Sequence, residues 1–278
     1  MRNNTVFPYC LNTSTIRACG LDVTDEIKLA GQAGYEGIEL WLSEIDAYVD
    51  DGGRLPKLKE LLQRQGLQAP NIIAFFQWAN PDKKVRKREL EEARRVFVLA
   101  GELDCMYVAA PPAGIVDMAE LPLEDIAEYY RDLLEVAKDI GVKPLLEFWG
   151  HSKILGSLKE AMQVLNMVDD PEAALLADVF HMAKAGDDFE FLGKLKGTEL
   201  GLFHVNDYPD VPNISKLKDD ARVYPGDGVA PLGRILDILK KIGYSGMLSL
   251  ELFNKEYQKS GAENVVRTGM EKMRRAFG

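Results

Sequence analysis

Cysteine and histidine are both scarce in this chain, with three of each among 278 residues. Cys10, Cys19 and Cys105 form no Cys-x-x-Cys pair and their number is odd, which argues against a disulfide framework or a thiolate zinc site and suits a reducing compartment. No apolar run approaches the roughly 20 residues that cross a bilayer. Residues 1–8 likewise lack the sustained apolar region of a signal peptide, so the expectation is a cytoplasmic protein with no membrane partner. Positive charge is in deficit: 34 Lys and Arg stand against 44 Asp and Glu, giving a net charge of -10. Such a chain repels polyanions. Its basic cluster between Lys83 and Arg95 is interleaved with glutamates and reads as a solvated helix face, so no nucleic-acid partner is expected. Small neutral substrates remain easy to accommodate. Linkers rich in Pro, Gly or Ser, low-complexity segments and composition shifts are also missing, which leaves residues 1–278 as a single domain.

What is present is an alternation of short apolar runs with amphipathic stretches. Strands are predicted at 6–11, 36–41, 68–74, 106–109, 142–148, 173–178, 200–206 and 247–251. Helices are predicted at 22–33, 55–65, 82–100, 123–140, 157–168, 189–196, 231–242 and 264–276, several of them closed by glycine. Ser157 followed by Glu160 has the spacing of a capping box. Eight strand-then-helix units predict one (β/α)8 TIM barrel, with a doubly wound open sheet as the rival.

In such a barrel the carboxyl ends of the strands line one mouth. Four consecutive predicted strands, the fifth to the eighth, end in groups able to hold a metal: Glu147, Asp178, His204 and Glu251. One imidazole and three carboxylates suit Mn²⁺, Mg²⁺, Co²⁺ or Zn²⁺. Taken singly, each carboxylate could be a helix N-cap or an ion-pair member, and His204 a satisfied core residue; four in succession after apolar runs point to a site. The remaining histidines, His151 and His181, fall at the same end of neighbouring units and are expected near substrate. The connection 207–228 is long for a βα loop, and Arg222 within it offers a fork of donors to substrate oxygens. Trp149, two residues beyond Glu147, can wall a sugar-like ring.

At these residues the chain resembles the xylose-isomerase-like barrels, a superfamily of sugar isomerases and epimerases. The segments Leu-Glu-Phe-Trp-Gly-His (146–151), Asp-Val-Phe-His (178–181), Phe-His-Val-Asn-Asp (203–207), Arg-Val-Tyr-Pro-Gly-Asp-Gly (222–228) and Leu-Ser-Leu-Glu-Leu-Phe (248–253) look like those of inosose isomerases of inositol catabolism. The amino-terminal half matches only loosely, through segments such as 9–12 and 37–39. The resemblance implies a divalent metal on Glu147, Asp178, His204 and Glu251, no organic cofactor, and His181 and Arg222 beside a polyol or sugar. Sugar 3-epimerases of the superfamily carry a further carboxylate shortly after strand five, where this chain has His151, Ser152 and Lys153.

The expected reaction is isomerisation or epimerisation of a polyhydroxy ketone, an inosose or ketose. A proton would pass between Glu147 and Glu251 through an enediolate held by the metal. The rivals are a lyase that expels water from an inosose or a dehydroshikimate-type acid, a sugar 3-epimerase, an abasic-site endonuclease and a binding protein without catalysis. Too few histidines and the charge of -10 oppose the endonuclease.

Overall fold

The computed structural model describes residues 7–278, so the first predicted strand is only partly covered and Val6 lies outside the described residues. Eight strands close into one barrel in chain order. They are β1 (Tyr9–Asn12), β2 (Gly37–Trp41), β3 (Asn71–Ile73), β4 (Tyr107–Ala110), β5 (Lys143–Glu147), β6 (Ala174–Asp178), β7 (Leu200–Val205) and β8 (Leu248–Leu250). Every neighbouring pair is parallel, and closure sets Tyr9 opposite Leu248 and Leu11 opposite Leu250. The open-sheet alternative is thereby excluded.

Side chains of a strand alternate between its two faces, and that period sorts the barrel. Outward positions such as Leu11, Ile38, Leu40, Ile72, Val108, Leu146, Leu175, Phe203 and Leu250 pack under the helices in one large apolar core. Inward positions form a second, small core from Cys10, Ile73, Ala109, Leu145, Ala174, Leu176, Leu202 and Met247, of which Ile73 reaches the mouth. Toward the carboxyl ends of β1, β2 and β5 to β8 the inward positions turn polar.

Ten helices surround the strands among the described residues: α1 (Val23–Ala33), α2 (Leu42–Asp50), α3 (Leu55–Gln65), α4 (Lys83–Glu102), α5 (Leu123–Lys138), α6 (Leu158–Val168), α7 (Val179–Ala185), α8 (Leu232–Lys241), α9 (Lys255–Gln258) and α10 (Ala262–Phe277). Three of these, α2, α7 and α9, are absent from the sequence reading. Each is short and follows a strand end directly or within a few residues, where its first turn interrupts no apolar period. The helix expected at 189–196 is a 3₁₀ helix over Phe189–Lys194. At α6, Ser157 caps the Glu160 amide as expected, while the Glu160 carboxylate reaches back one residue further, to the Gly156 N–H.

Candidate active site

The polar inward layer contains Asn12, Glu39, Asn71, His204 and Ser249, all buried. At the upper rim stand Glu147, Asp178 and Glu251, also buried. Asp178, His204 and Glu251 each offer one ligand atom, and the three atoms lie within 4.8 Å of one another. His204 Nδ1 faces Glu251 Oε2 at 3.2 Å and Asp178 Oδ2 at 3.7 Å. That nitrogen is buried and, among the described residues, has no aligned hydrogen-bond partner. An orphaned ring nitrogen beside two carboxylates is what a divalent ion needs, and ligand atoms about 2.0–2.2 Å from a shared centre fit within such a span. Burial opposes charge on His204, yet the Glu251 and Glu39 carboxylates outweigh it and raise its pKa well above the ordinary imidazole range. A metal would displace the Nδ1 proton.

The other ring nitrogen has a different environment. His204 Nε2 lies 3.1 and 3.0 Å from the two oxygens of Glu39. Burial would raise the Glu39 carboxyl, but the His204 charge and the donors of His204, Ser249 and Asn71 hold it below its ordinary value. Glu39 is absent from the sequence-derived site because it sits inside β2, two residues before the strand end.

Arg222, expected beside substrate oxygens, lines the cavity at the mouth and is buried with its guanidinium against carboxylates. Its Nη1 donates to Asp178 Oδ2 at 2.7 Å and Glu251 Oε2 at 2.6 Å, and its Nη2 to Asp219 Oδ1 at 2.7 Å. Its loop, long and irregular in sequence, is fixed by Asp207 at the end of β7. The Asp207 carboxylate accepts four backbone N–H groups, from Tyr208, Gly226, Gly228 and Ala230, at 2.8–3.0 Å. Asp207 also bridges Val223 in an antiparallel pair, next to Arg222. A Cβ on Gly228 would collide with the Tyr208 carbonyl and the Asp207 side chain, so only glycine permits this wrap. The sequence signal for Asp207 is the Gly-Asp-Gly turn at 226–228 that it organises.

Asp178 serves twice: its Oδ1 caps α7 by accepting the His181 N–H at 2.8 Å, and its Oδ2 faces the cluster. His181 is therefore a residue of the first turn of α7, not of a loop. It is buried beside Arg222, and burial lowers its pKa to about 3, leaving a neutral ring. Gly150 packs so closely on this turn that a Cβ there would strike the His181 carbonyl.

Glu147 and Glu251 both line a cavity of about 180 Å³, together with Trp149, His151, His181 and Arg222. Glu147 stands outside the close three-residue cluster; its Oε1 accepts the Trp149 indole N–H at 3.0 Å. Burial, with Glu251 adding to it, raises its carboxyl to about 8 against the opposing pull of His204. Trp149 stacks on His151 at 5.5 Å and meets Phe75 at 6.0 Å, while Trp41 meets Phe75 at 5.2 Å and Phe253 at 6.2 Å. The expected wall is thus a rim of four aromatic side chains, of which the sequence reading held only Trp149.

Fold and site together define a (β/α)8 barrel with a carboxylate and imidazole centre at the carboxyl ends of its strands. Residues 27–276 match the family described as xylose isomerase-like TIM barrel, and the chain belongs to that family. It is 30% identical over 270 residues to an inosose isomerase of Bacillus velezensis, covering 94% of each chain. A fructoselysine 3-epimerase of Escherichia coli O157:H7 is 25% identical over 252 residues, covering 84% of this chain and 88% of the other. Among solved structures, the IolI protein with a bound zinc atom superposes with a TM-score of 0.88 at 28% identity, covering 98% of both chains.

Proposed function

We propose that this protein is a divalent-metal-dependent isomerase or epimerase of a polyhydroxy ketone of inosose or ketose type. The observation that carries the proposal is the orphaned Nδ1 of His204 between Asp178 and Glu251, beside a cavity that also receives Glu147. The resemblance to an inosose isomerase over 94% of the chain, and to a zinc-binding barrel, supports both the metal and the substrate class.

Asp178, His204 and Glu251 would hold the ion, with Glu147 as a fourth donor from the facing rim. When bound, it supplies Lewis-acid chemistry, stabilising the negative charge that develops on a carbonyl and its neighbouring hydroxyl oxygen when the proton between them leaves. The chain's own groups move that proton. Glu147 has one oxygen tied by the Trp149 indole and, among the described residues, no hydrogen bond on its other oxygen; the positive charge of a bound cation would lower its raised carboxyl and leave that oxygen able to take a proton from carbon. Glu251 is held more tightly, by Arg222 on Oε2 and by the Asn12 amide on Oε1 at 3.1 Å, and faces the same cavity as the partner acid. The aromatic rim offers apolar faces to the C–H side of a polyol and would limit water around the proton transfer.

The test is a panel of inososes and ketoses incubated in D₂O with Mn²⁺ or Zn²⁺, and separately with EDTA, read by product NMR. Isomerised or epimerised product carrying deuterium at carbon, formed only with metal, is the expected result. Product without deuterium would replace proton transfer by a hydride shift, and a new conjugated-carbonyl ultraviolet band would mark a dehydratase. No turnover of any substrate with metal present would overturn the proposal.

A further inference from the structure

The imidazole of a metal site can bind through either nitrogen, and the difference is decided by what holds the opposite side of the ring. Here the opposite side meets a carboxylate with no solvent exposure, inside the barrel. Burying a charge there is costly unless it is fully hydrogen-bonded. Glu39 receives a full set: His204 Nε2 on both oxygens, Asn71 Nδ2 on Oε1 at 2.8 Å, and Ser249 Oγ and Asn12 Nδ2 on Oε2. His204, Asn71, Ser249 and Asn12 belong to β7, β3, β8 and β1, so the carboxylate is fixed by four strands besides its own. Asn12 is itself locked, its carbonyl accepting the Trp41 indole N–H at 3.1 Å, and its amide N–H groups span Glu39 and Glu251 Oε1.

We propose that Glu39 is a positioning residue: it holds the proton of His204 on Nε2, so that Nδ1 is presented to Asp178 and Glu251 as the metal-binding nitrogen. Through the shared amide of Asn12 the same layer fixes Glu251 Oε1, so one buried network orients two of the three clustered ligands. An apolar side chain would fill the same space without directing the ring, and the ring would then be free to turn or to carry its proton on the wrong nitrogen. The role of Glu39 rests on the metal site proposed above, and the experiment separates the two.

Zinc-loaded protein labelled with ¹⁵N-histidine is studied by long-range ¹H–¹⁵N correlation, with His204→Asn identifying the His204 signals. The expected pattern is ligation through Nδ1 and a slowly exchanging, strongly downfield proton on Nε2. Zinc affinity is then measured by competition with a chromophoric chelator for the wild type, Glu39→Gln and His204→Asn, with circular dichroism as the check on folding. Glu39→Gln should weaken zinc binding about 10- to 100-fold and move or broaden the Nε2 proton signal. Ligation through Nε2, or wild-type affinity in a folded Glu39→Gln protein, overturns the positioning role. If His204→Asn loses zinc while Glu39→Gln does not, only that role fails; if His204→Asn binds zinc like the wild type, the metal site itself fails. Should Glu39→Gln not fold, the ligating nitrogen seen in the wild type decides.

Discussion

Replacing Arg222 by Met removes one cation from between two carboxylates, and the consequence depends on whether a metal is present. Arg222 and Asp178 are each 1% exposed at their side chains and Glu251 8%, so solvent screens little of the exposed charge once the guanidinium is gone. Breaking a buried pair from one side costs about 3–5 kcal/mol. In a chain of this length each kcal/mol moves the midpoint of thermal unfolding by about 2–4 °C, so the metal-free variant should melt on the order of 10 °C below the metal-free wild type. A divalent ion on Asp178 and Glu251 supplies the missing positive charge and binds only the folded state. With saturating Zn²⁺ the loss should therefore shrink to half or less. Scanning calorimetry of both proteins, in EDTA and in Zn²⁺, gives the four midpoints. Equal losses in the two conditions would refute the idea that Arg222 and the ion neutralise the same oxygens.

Glu251→Gln should abolish turnover while weakening zinc less than His204→Asn does, and Glu147→Gln should lose at least about 100-fold in kcat, the scale of a general base or acid; chelator competition and steady-state kinetics read the two effects apart. Asp207→Asn keeps one acceptor oxygen and strands N–H donors among the four that the carboxylate now satisfies. A loss of about 2–3 kcal/mol in urea unfolding is expected, with a fall in kcat because the loop carries Arg222. Glu26 gives a pH test remote from the site. Burial and then the nearby Glu44 raise its carboxyl from 4.5 to about 9, with Arg17 opposing, and among the described residues its Oε2 has no partner. Between those values the unfolded chain is ionised while the folded protein keeps the proton, so this group removes stability progressively as pH rises from 4.5 to 9. Glu26→Gln should be nearly neutral at pH 4 and stabilising by about 1–3 kcal/mol at pH 8, measured by urea unfolding; equal effects at both pH values would remove Glu26 as the titrating group.

The barrel was legible because its outward strand faces are uniformly apolar and its turns are marked by glycine, as at Gly34, Gly66 and Gly141. The rim carboxylates Glu147, Asp178 and Glu251 were legible because each follows an apolar run at the end of a strand. Glu39 and Asn71 were not: they occupy inward positions within strands, and a period of two tells that a residue faces inward without telling which side chains from other strands will meet it. Arg222 was singled out from its loop, but its carboxylate partners were not legible, because Asp207 folds that loop inward through contacts with residues 19–23 positions away. The aromatic rim draws on residues 41, 75, 149 and 253, a convergence that only closure of the barrel creates.

The most direct test of the site is anomalous diffraction from crystals grown with Zn²⁺, with data collected on both sides of the zinc edge. One peak per chain is predicted between His204 Nδ1, Asp178 and Glu251, with Glu147 facing it. No peak at saturating zinc, or a peak bound to none of these residues, would contradict the central claim.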